Sequence, residues 1–544
     1  MHESSLLGLG FAAVVLAVGC GDDGQAAGGS GAGTSGGAPS VGGAGGEGGA
    51  GGEPVDPRFE PLIAAVEAEI ADLGAPGAAV AVIEHGEVTF ARGFGVKAEG
   101  GTDPVLPTTL FRIGSVNKVL TATALLREVE NGHLDLDAPA IEYVPDFELA
   151  EPTWAPQIDL RHLLTHSSGM SDYLRVDVPG SQQTDEALES YLTGGTFKSN
   201  VWLMNPSGAF WNYSNPNFYL AGLVTEKATG KFYREFMQST VFDPLGMSRT
   251  FFLGDDVLAD GDYAFGKTSG AGGLDNPVAP DSYENAWGRP AGYATSNALD
   301  MAKLVTFLMD GDEAVLSDEL RAELSKKQID MHTYYDLQSY GFALFVDDFA
   351  VAGSDWYDVQ VISHGGDIPG FAADIMYVPS TGFGLVTLAN ADYAHLRDST
   401  EVALATLADL PDPVEPPDLT IDPAGFAAFV GDYADDYNVG DIAITLDGDT
   451  LQISMPAVDE AGIPYDTVLD PIDPTNFVLG IQGTYLQVTF LEPVDGSTKY
   501  LRTRAFVGIR PPAAPPAAPV APAPIAPAER RARVLAALRN AAFD

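Results

Sequence analysis

The stretch FRIGSVNKVL, residues 111–120, sets a serine three positions before a lysine. TATALLREVENG, residues 121–132, continues it as a helical run that closes at Gly132. Ser115 therefore stands at or near a helix N-terminus. Residues three apart share a helix face, so the Lys118 amine can reach the Ser115 hydroxyl. A serine hydroxyl becomes a nucleophile only when a base takes its proton. Lysine is a poor base at its free pKa of about 10.4, and burial and nearby positive potential lower that value. The free N–H groups of a helix start can also hold an oxyanion. The competing reading is structural: a capping serine followed by an exposed lysine. A lone S-x-x-K does not choose between them, because a chain this long holds on the order of one or two by chance.

Two further constellations bear on the choice. FWNYSNPNFYLAG, residues 210–222, contains Tyr213-Ser214-Asn215. A phenol there can relay a proton to a leaving group, and the Asn215 amide can hold the lysine or a substrate carbonyl. A rival triplet, Tyr283-Glu284-Asn285, sits in an irregular stretch rich in glycine and proline. Tyr213 is preferred because the helical run LAGLVTEKATG follows it directly. The third element is His364-Gly365-Gly366, at the end of the apolar run DVQVIS. Its glycines let a backbone approach the strand, and His364 is a candidate to bind a carboxylate or tune the tyrosine. The bland alternative for His364 is a hydrogen-bonded structural histidine at a strand end.

The order S-x-x-K, Y-x-N, H-x-G resembles the serine β-lactamase-like superfamily, in the branch of class C β-lactamases, D-alanyl-D-alanine carboxypeptidases and esterases. The similarity extends to TLFRIGSVNKVLTATALLREVENGHLDLDAPAIEYVP, IDLRHLLTHSSGM, GYATSNALDMAKLVTFLMDG and SHGGDIPGF, and covers roughly residues 60 to 408. The resemblance implies Ser115 as the acylated nucleophile and Lys118 as its activating partner. It implies Tyr213 as general base and acid, with Asn215 orienting Lys118 and the substrate amide. His364 takes the place of a lysine, and the backbone N–H groups of Ser115 and Asp367 form the oxyanion hole. Histidine in the third motif points away from an efficient β-lactamase, towards carboxypeptidases and esterases. Asp367 sets a carboxylate beside the oxyanion site, which disfavours anionic substrates unless its side chain turns away.

The rest of the chain fits this frame. Residues 57 to 410 open with the helical PRFEPLIAAVEAEIADL and the strands GAAVAVIE and EVTFARGFG, joined by a turn at His85-Gly86. Residues from about 110 to 335 read as mainly helical. Strand patterns return in SYGFALFV, DVQVISH, GFAADIMYV and GFGLVTLAN, and the helical DSTEVALATLADL closes the region. Strands at both ends predict an α/β fold: a mixed, antiparallel β-lactamase/transpeptidase-like sheet with flanking helices and an inserted helical subdomain. After the break PDPVEPPD, residues 419 to 510 read as a small antiparallel β-barrel, lipocalin-like by resemblance. A Pro/Ala-rich spacer (511–527) and a short basic amphipathic helix (528–544) follow. That helix carries Val534, Leu535 and Leu538 on one face, and either docks or frays in solvent.

At the other end, Leu6 to Gly19 is an apolar run of signal-peptide length that ends at Cys20, the single cysteine. It resembles a lipoprotein signal with Cys20 as the lipidation site, against the alternative of a plain secretory signal. Residues 21 to 56 form a Gly-rich linker, in which Gly33-Thr34-Ser35-Gly36-Gly37 matches an esterase motif by composition alone. The expectation is an extracytoplasmic, envelope-bound protein, anchored through Cys20 or otherwise secreted. The formal charge of −48 argues against nucleic acid and anionic surfaces as partners. There is no H-E-x-x-H and no cysteine left as a ligand after processing, so a metallohydrolase is not expected; the expected cofactor is none. The expected partner is a small acyl ester or a D-amino-acid-containing peptide. Three functions remain open: a carboxypeptidase-like amide hydrolase, an esterase without peptidase activity, and a non-catalytic envelope-bound penicillin-binding or sensor protein.

Overall fold

The computed structural model describes residues 56–172, 183–269, 276–282, 285–494, 497–510 and 525–541. Cys20, the linker, Tyr283 and Glu284 lie outside the described residues. Helix α1 (Glu60–Asp72) leads into strands β1 (Gly77–Glu84) and β2 (Glu87–Gly95). β1 is buried on both faces. Ala79, Ala81 and Ile83 enter one core, while Ala78, Val80 and Val82 enter another. That is the outcome of a period of two in a continuous apolar run.

Three long helices follow among shorter ones: α2 (Asn117–Glu130), α3 (Asn215–Thr229) and α4 (Ala298–Asp310). α2 is buried on every side from Asn117 to Leu126, as befits the central helix of a large domain. The remaining strands of the sheet are β3 (Ile329–Asp330), β4 (Gln338–Tyr340), β5 (Phe345–Asp347), β6 (Val361–Ile368), β7 (Phe371–Val378) and β8 (Phe383–Ala389). The order is β2-β1-β8-β7-β6-β5-β4-β3, with antiparallel pairing throughout. The two chain ends of the domain thus meet where β1 pairs β8, Ala78 opposite Ala389. α1 and α5 (Arg397–Leu407) cover one face, and the helices inserted between β2 and β3 cover the other.

Two strands differ from the sequence reading. SYGFALFV is not one strand: it breaks into β4 and β5 around a turn in which Gly341 N–H donates to Leu344 O and Ala343 has φ +59°. The run DVQVISH does not end at His364. β6 begins at Val361 and continues through His364, Gly365, Gly366 and Asp367, because β7 keeps pairing the glycines that pattern alone treats as a break, while β5 pairs only Val361 to Ser363.

The C-terminal region is a closed eight-stranded barrel: β9 (Gly431–Asp435), β10 (Gly440–Asp447), β11 (Thr450–Ser454), β12 (Val468–Pro471), β13 (Asn476–Ile481), β14 (Thr484–Val494), β15 (Ser497–Arg502) and β16 (Val507–Ile509). Inward side chains, among them Phe426, Phe429, Phe477 and Phe490, fill it, as they do in small barrels. The basic helix α6 (Pro527–Ala541) docks on this barrel. Val534 and Leu538 join the barrel core, while Arg530 and Arg531 donate to the carbonyls of Asn438, Ala461 and Gly462.

Candidate active site

Ser115 sits in the 3-10 turn Gly114–Val116, one turn ahead of α2. Gly114 has φ +49°, and a Cβ there would lie 2.8 Å from Asp367 N. On the facing strand, a Cβ on Gly366 would meet Ile113 O at 2.2 Å and Ser115 N at 2.8 Å. β6 therefore presses directly on the serine turn, and the space left by Gly366 is filled by the protein itself. The contact brings the backbone nitrogens of Ser115 and Asp367 into one neighbourhood, as an oxyanion hole requires.

Lys118 is fully buried, and its Nζ lies 2.7 Å from Ser115 Oγ and donates to Ala291 O at 2.8 Å. The same Nζ lies 5.0 Å from the centroid of the Tyr213 ring and 5.8 Å from that of Phe218. Ser115, Lys118 and Tyr213 thus converge. Asn215 opens α3 and is held from the other side: its backbone N–H and Nδ2 donate to Asp172 Oδ1 at 2.9 and 3.2 Å.

His166 stacks on Tyr213, with ring centroids 4.1 Å apart. Its Nδ1 accepts from Ser214 N–H and faces Asn217 Nδ2 at 3.0 Å. Complete burial, with the Lys118 charge adding to it, holds its pKa well below the usual histidine value. It is a neutral wall behind the tyrosine.

His364 lies on β6 beside these groups, its ring 6.5 Å from that of Tyr213. Its Nδ1 meets Gly365 O at 2.5 Å and its Nε2 meets the Tyr340 hydroxyl at 3.2 Å, so both ring nitrogens have partners within the protein. The Asp367 carboxylate turns away to the opposite face of the sheet. There it pairs with His395 Nε2 at 2.8 Å, while His395 Nδ1 pairs with Asp374 at 2.8 Å. Burial opposes charge on His395, but the two aspartates outweigh it and hold the imidazolium well above the usual range. The Asp367 backbone nitrogen, which faces the serine turn, is therefore kept apart from its own carboxylate.

A cavity of about 510 Å³ adjoins this cluster. One side is catalytic-domain surface, with Trp211, Tyr213 and His364. The other is barrel, with Gln487, Arg502 and Arg504. Arg504, His166 and Asp172 were not singled out by sequence reasoning. His166 and Asp172 lie in or just beyond IDLRHLLTHSSGM, so a block match was their signal. Arg504 had none: it meets Asp172 from 332 residues away.

A buried Ser-x-x-Lys pair at the head of a central helix, pressed against an antiparallel sheet, defines a β-lactamase/transpeptidase-like serine hydrolase fold. The Beta-lactamase family profile matches residues 62–409, more than half of the chain, and the chain belongs to that family. Among curated relatives it is 23% identical over 330 residues to Protein flp of Staphylococcus aureus, spanning 60% of this chain and 62% of that protein. It is 28% identical over 347 residues to the unguisins hydrolase ungD of Aspergillus violaceofuscus, spanning 58% and 59%. The chain thus spans about three fifths of the length of these relatives. Its fold is similar to the octameric penicillin-binding protein homologue of Pyrococcus abyssi (TM-score 0.55, 21% identity, 82% of this chain and 99% of that one). It is also similar to the D-amino acid amidase of Ochrobactrum anthropi SV3 (TM-score 0.54, 23% identity, 64% and 99%).

Proposed function

We propose that the protein is a serine hydrolase that forms an acyl-enzyme at Ser115 on amide or peptide bonds, including those of D-amino-acid-containing peptides, or on carboxylic esters. The observation that carries this is the 2.7 Å approach of Lys118 Nζ to Ser115 Oγ inside a buried pocket that also holds Tyr213. Ser115 Oγ attacks the acyl carbon while Lys118 and Tyr213 share its proton. The N–H groups of Ser115 and Asp367 receive the developing oxyanion. Tyr213 returns the proton to the leaving group, and water then attacks the ester on Ser115, giving the acid and restoring the hydroxyl. The naming of a relative at 28% identity as a hydrolase supports hydrolysis as the reaction class.

A second reading, an esterase without peptidase activity, is favoured by His364. Both its ring nitrogens are engaged within the protein, which makes it a weak anchor for the carboxylate that a terminal D-alanine carries. A fluorophosphonate probe should label the wild type at Ser115, located by peptide mapping, and not Ser115→Ala. Turnover of p-nitrophenyl acyl esters against release of D-alanine from a D-Ala-D-Ala peptide then separates the two readings. No labelling and no turnover across both panels would make the chain a binding protein and overturn the proposal.

A further inference from the structure

The turn between β15 and β16 is held by Thr503, whose N–H donates to Phe506 O and whose hydroxyl accepts from the Phe506 N–H. It carries Arg504 out of the barrel and into the catalytic cleft. Arg504 Nε and Nη2 donate to Asp172 Oδ2 at 2.9 and 2.6 Å. Its guanidinium carbon lies 4.6 Å from the centroid of the Tyr213 ring. Asp172 is buried, and its other oxygen holds the backbone N–H and Nδ2 of Asn215. Tying Nδ2 to a carboxylate fixes which end of the Asn215 amide is which. A buried carboxylate that loses its cation is left with an uncompensated charge, and the groups it orients are then free to shift. Two guanidinium N–H groups converge on the single oxygen Oδ2, which fixes direction as well as charge and leaves Oδ1 to Asn215.

We propose that Arg504, supplied by the barrel, is a positioning residue for acyl transfer at Ser115: it holds Asp172 and, through it, sets Asn215 and Tyr213 in their working orientation. The proposal rests on the serine hydrolase reading above. In it the barrel is part of the active site, and catalysis requires the barrel to be docked.

The test uses the full chain carrying Arg504→Met, Arg504→Lys, Arg504→Met with Asp172→Asn, or Tyr437→Ala. Phosphonylation of Ser115 by the fluorophosphonate, with loss of fluoride, is measured, together with kcat and KM on whichever p-nitrophenyl ester the wild type turns over. Arg504→Met should lower kcat by about 30- to 100-fold with KM changed by less than about threefold, the size expected from loss of orientation. Arg504→Lys should recover about tenfold of this, since its charge still meets Asp172 without the paired donors of the planar guanidinium. Adding Asp172→Asn to Arg504→Met should cost less than about threefold more, because both act through one chain of contacts. Tyr437→Ala removes the barrel's stack on Trp202, whose ring lies 5.4 Å away. It should leave kcat within about threefold, as the contact does not involve Asn215 or Tyr213.

Wild-type kcat in Arg504→Met overturns the proposal, as does a lysine variant no better than the methionine one. Equal losses in Tyr437→Ala and Arg504→Met also overturn it, since the barrel would then merely dock. If Arg504→Met fails to fold, Arg504→Lys against wild type decides by the same kcat criterion. A wild type that is neither labelled nor turns over any ester or peptide defeats the serine hydrolase reading itself, which is a different result from a labelled, active enzyme indifferent to Arg504.

Discussion

At the scale of single residues, Tyr213 and His395 show how differently two buried groups can serve one site. Tyr213 is surrounded by Lys118, His166 and Arg504, so its hydroxyl acts where three ordered neighbours place it. Tyr213→Phe keeps the ring and its stacking and removes the proton carrier. Turnover of the ester should fall by about 10²- to 10⁴-fold, as for loss of a general acid–base group, while Tyr283→Phe stays near wild type; reversal of that pair in a steady-state assay would identify the wrong triplet. His395 works from behind the sheet, as a cation between Asp367 and Asp374. His395→Gln leaves the buried Asp367 carboxylate, and the partly exposed Asp374 beside it, without their cation and should destabilise the fold by about 2–4 kcal/mol. The charge is held above the usual histidine range, so its contribution is complete below the unfolded pKa of about 6.5 and is lost as pH rises through the higher folded value. Urea melts should therefore show the largest gap between wild type and variant in the acid-to-neutral range, narrowing as the solution becomes alkaline.

At the scale of elements, the contact between β6 and the turn before α2 is the critical one. Gly366→Ala would place a methyl 2.2 Å from a backbone oxygen and 2.8 Å from the nitrogen of Ser115. Backbone cannot yield as a flexible side chain can, so the turn must move. A displacement of about 1 Å is enough to cost about 10²-fold in acylation, with about 1–3 kcal/mol of stability. Gly365→Ala faces the other side of the sheet, where the nearest atom is Asp374 Oδ1 at 3.1 Å, and should be much milder; equal effects in a labelling assay would contradict this geometry. α3 carries a second consequence. Burial, opposed by the Tyr233 N–H bond, pushes the Glu226 carboxyl up to about 7. The folded state then keeps a proton that the unfolded chain releases, so stability declines as pH rises from about 4.5 to about 7 and is level beyond. Glu226→Gln retains an oxygen for Tyr233 N–H and removes the penalty. It should gain about 1–2 kcal/mol at pH 8 and nothing at pH 4, measured as a difference in denaturant melts.

Much of this was legible along the chain, for reasons that are themselves local. Ser115 and Lys118 are three residues apart, and a helix brings that spacing together without help from the rest of the fold. β1, β7 and β8 announce themselves as apolar runs bounded by turn residues, and both of their faces are buried. The break inside SYGFALFV was not legible, because a residue at φ +59° leaves no mark when it is an alanine. Neither was the site role of Arg504, which exists only once a barrel assembled from residues 431 to 509 has docked against Asp172. Pattern reports what neighbours in sequence do, and this site is completed by a residue brought from a separate domain.

At the scale of the whole molecule, that docking is made through polar groups as much as apolar ones. Met204 and Phe210 pack against Leu491, Tyr500 and Val507 across the seam. Beside them Arg502 of β15, only 3% exposed, donates to the carbonyls of Trp211 and Met331 at 2.8 Å each and to Thr489 Oγ1 at 2.9 Å. Asn212 Nδ2 reaches Thr503 O at 3.2 Å, and Asn476 Nδ2 reaches His332 O at 3.0 Å. Each catalytic-domain carbonyl in this set accepts a hydrogen bond from the barrel, so separating the two bodies exposes the apolar patch and breaks the polar pairs together. The chain should therefore unfold in one calorimetric transition. Arg502→Met keeps the volume of the side chain but strips the buried Met331 carbonyl and the part-buried Trp211 carbonyl of a donor, at about 1–3 kcal/mol for the buried one and less for the other. The barrel should then release first, splitting the transition in two, and ester turnover should fade with the earlier one because Arg504 leaves with it. A single transition at the wild-type temperature would show that the seam does not depend on Arg502. Two transitions with activity persisting past the first would show that the catalytic domain works without its barrel.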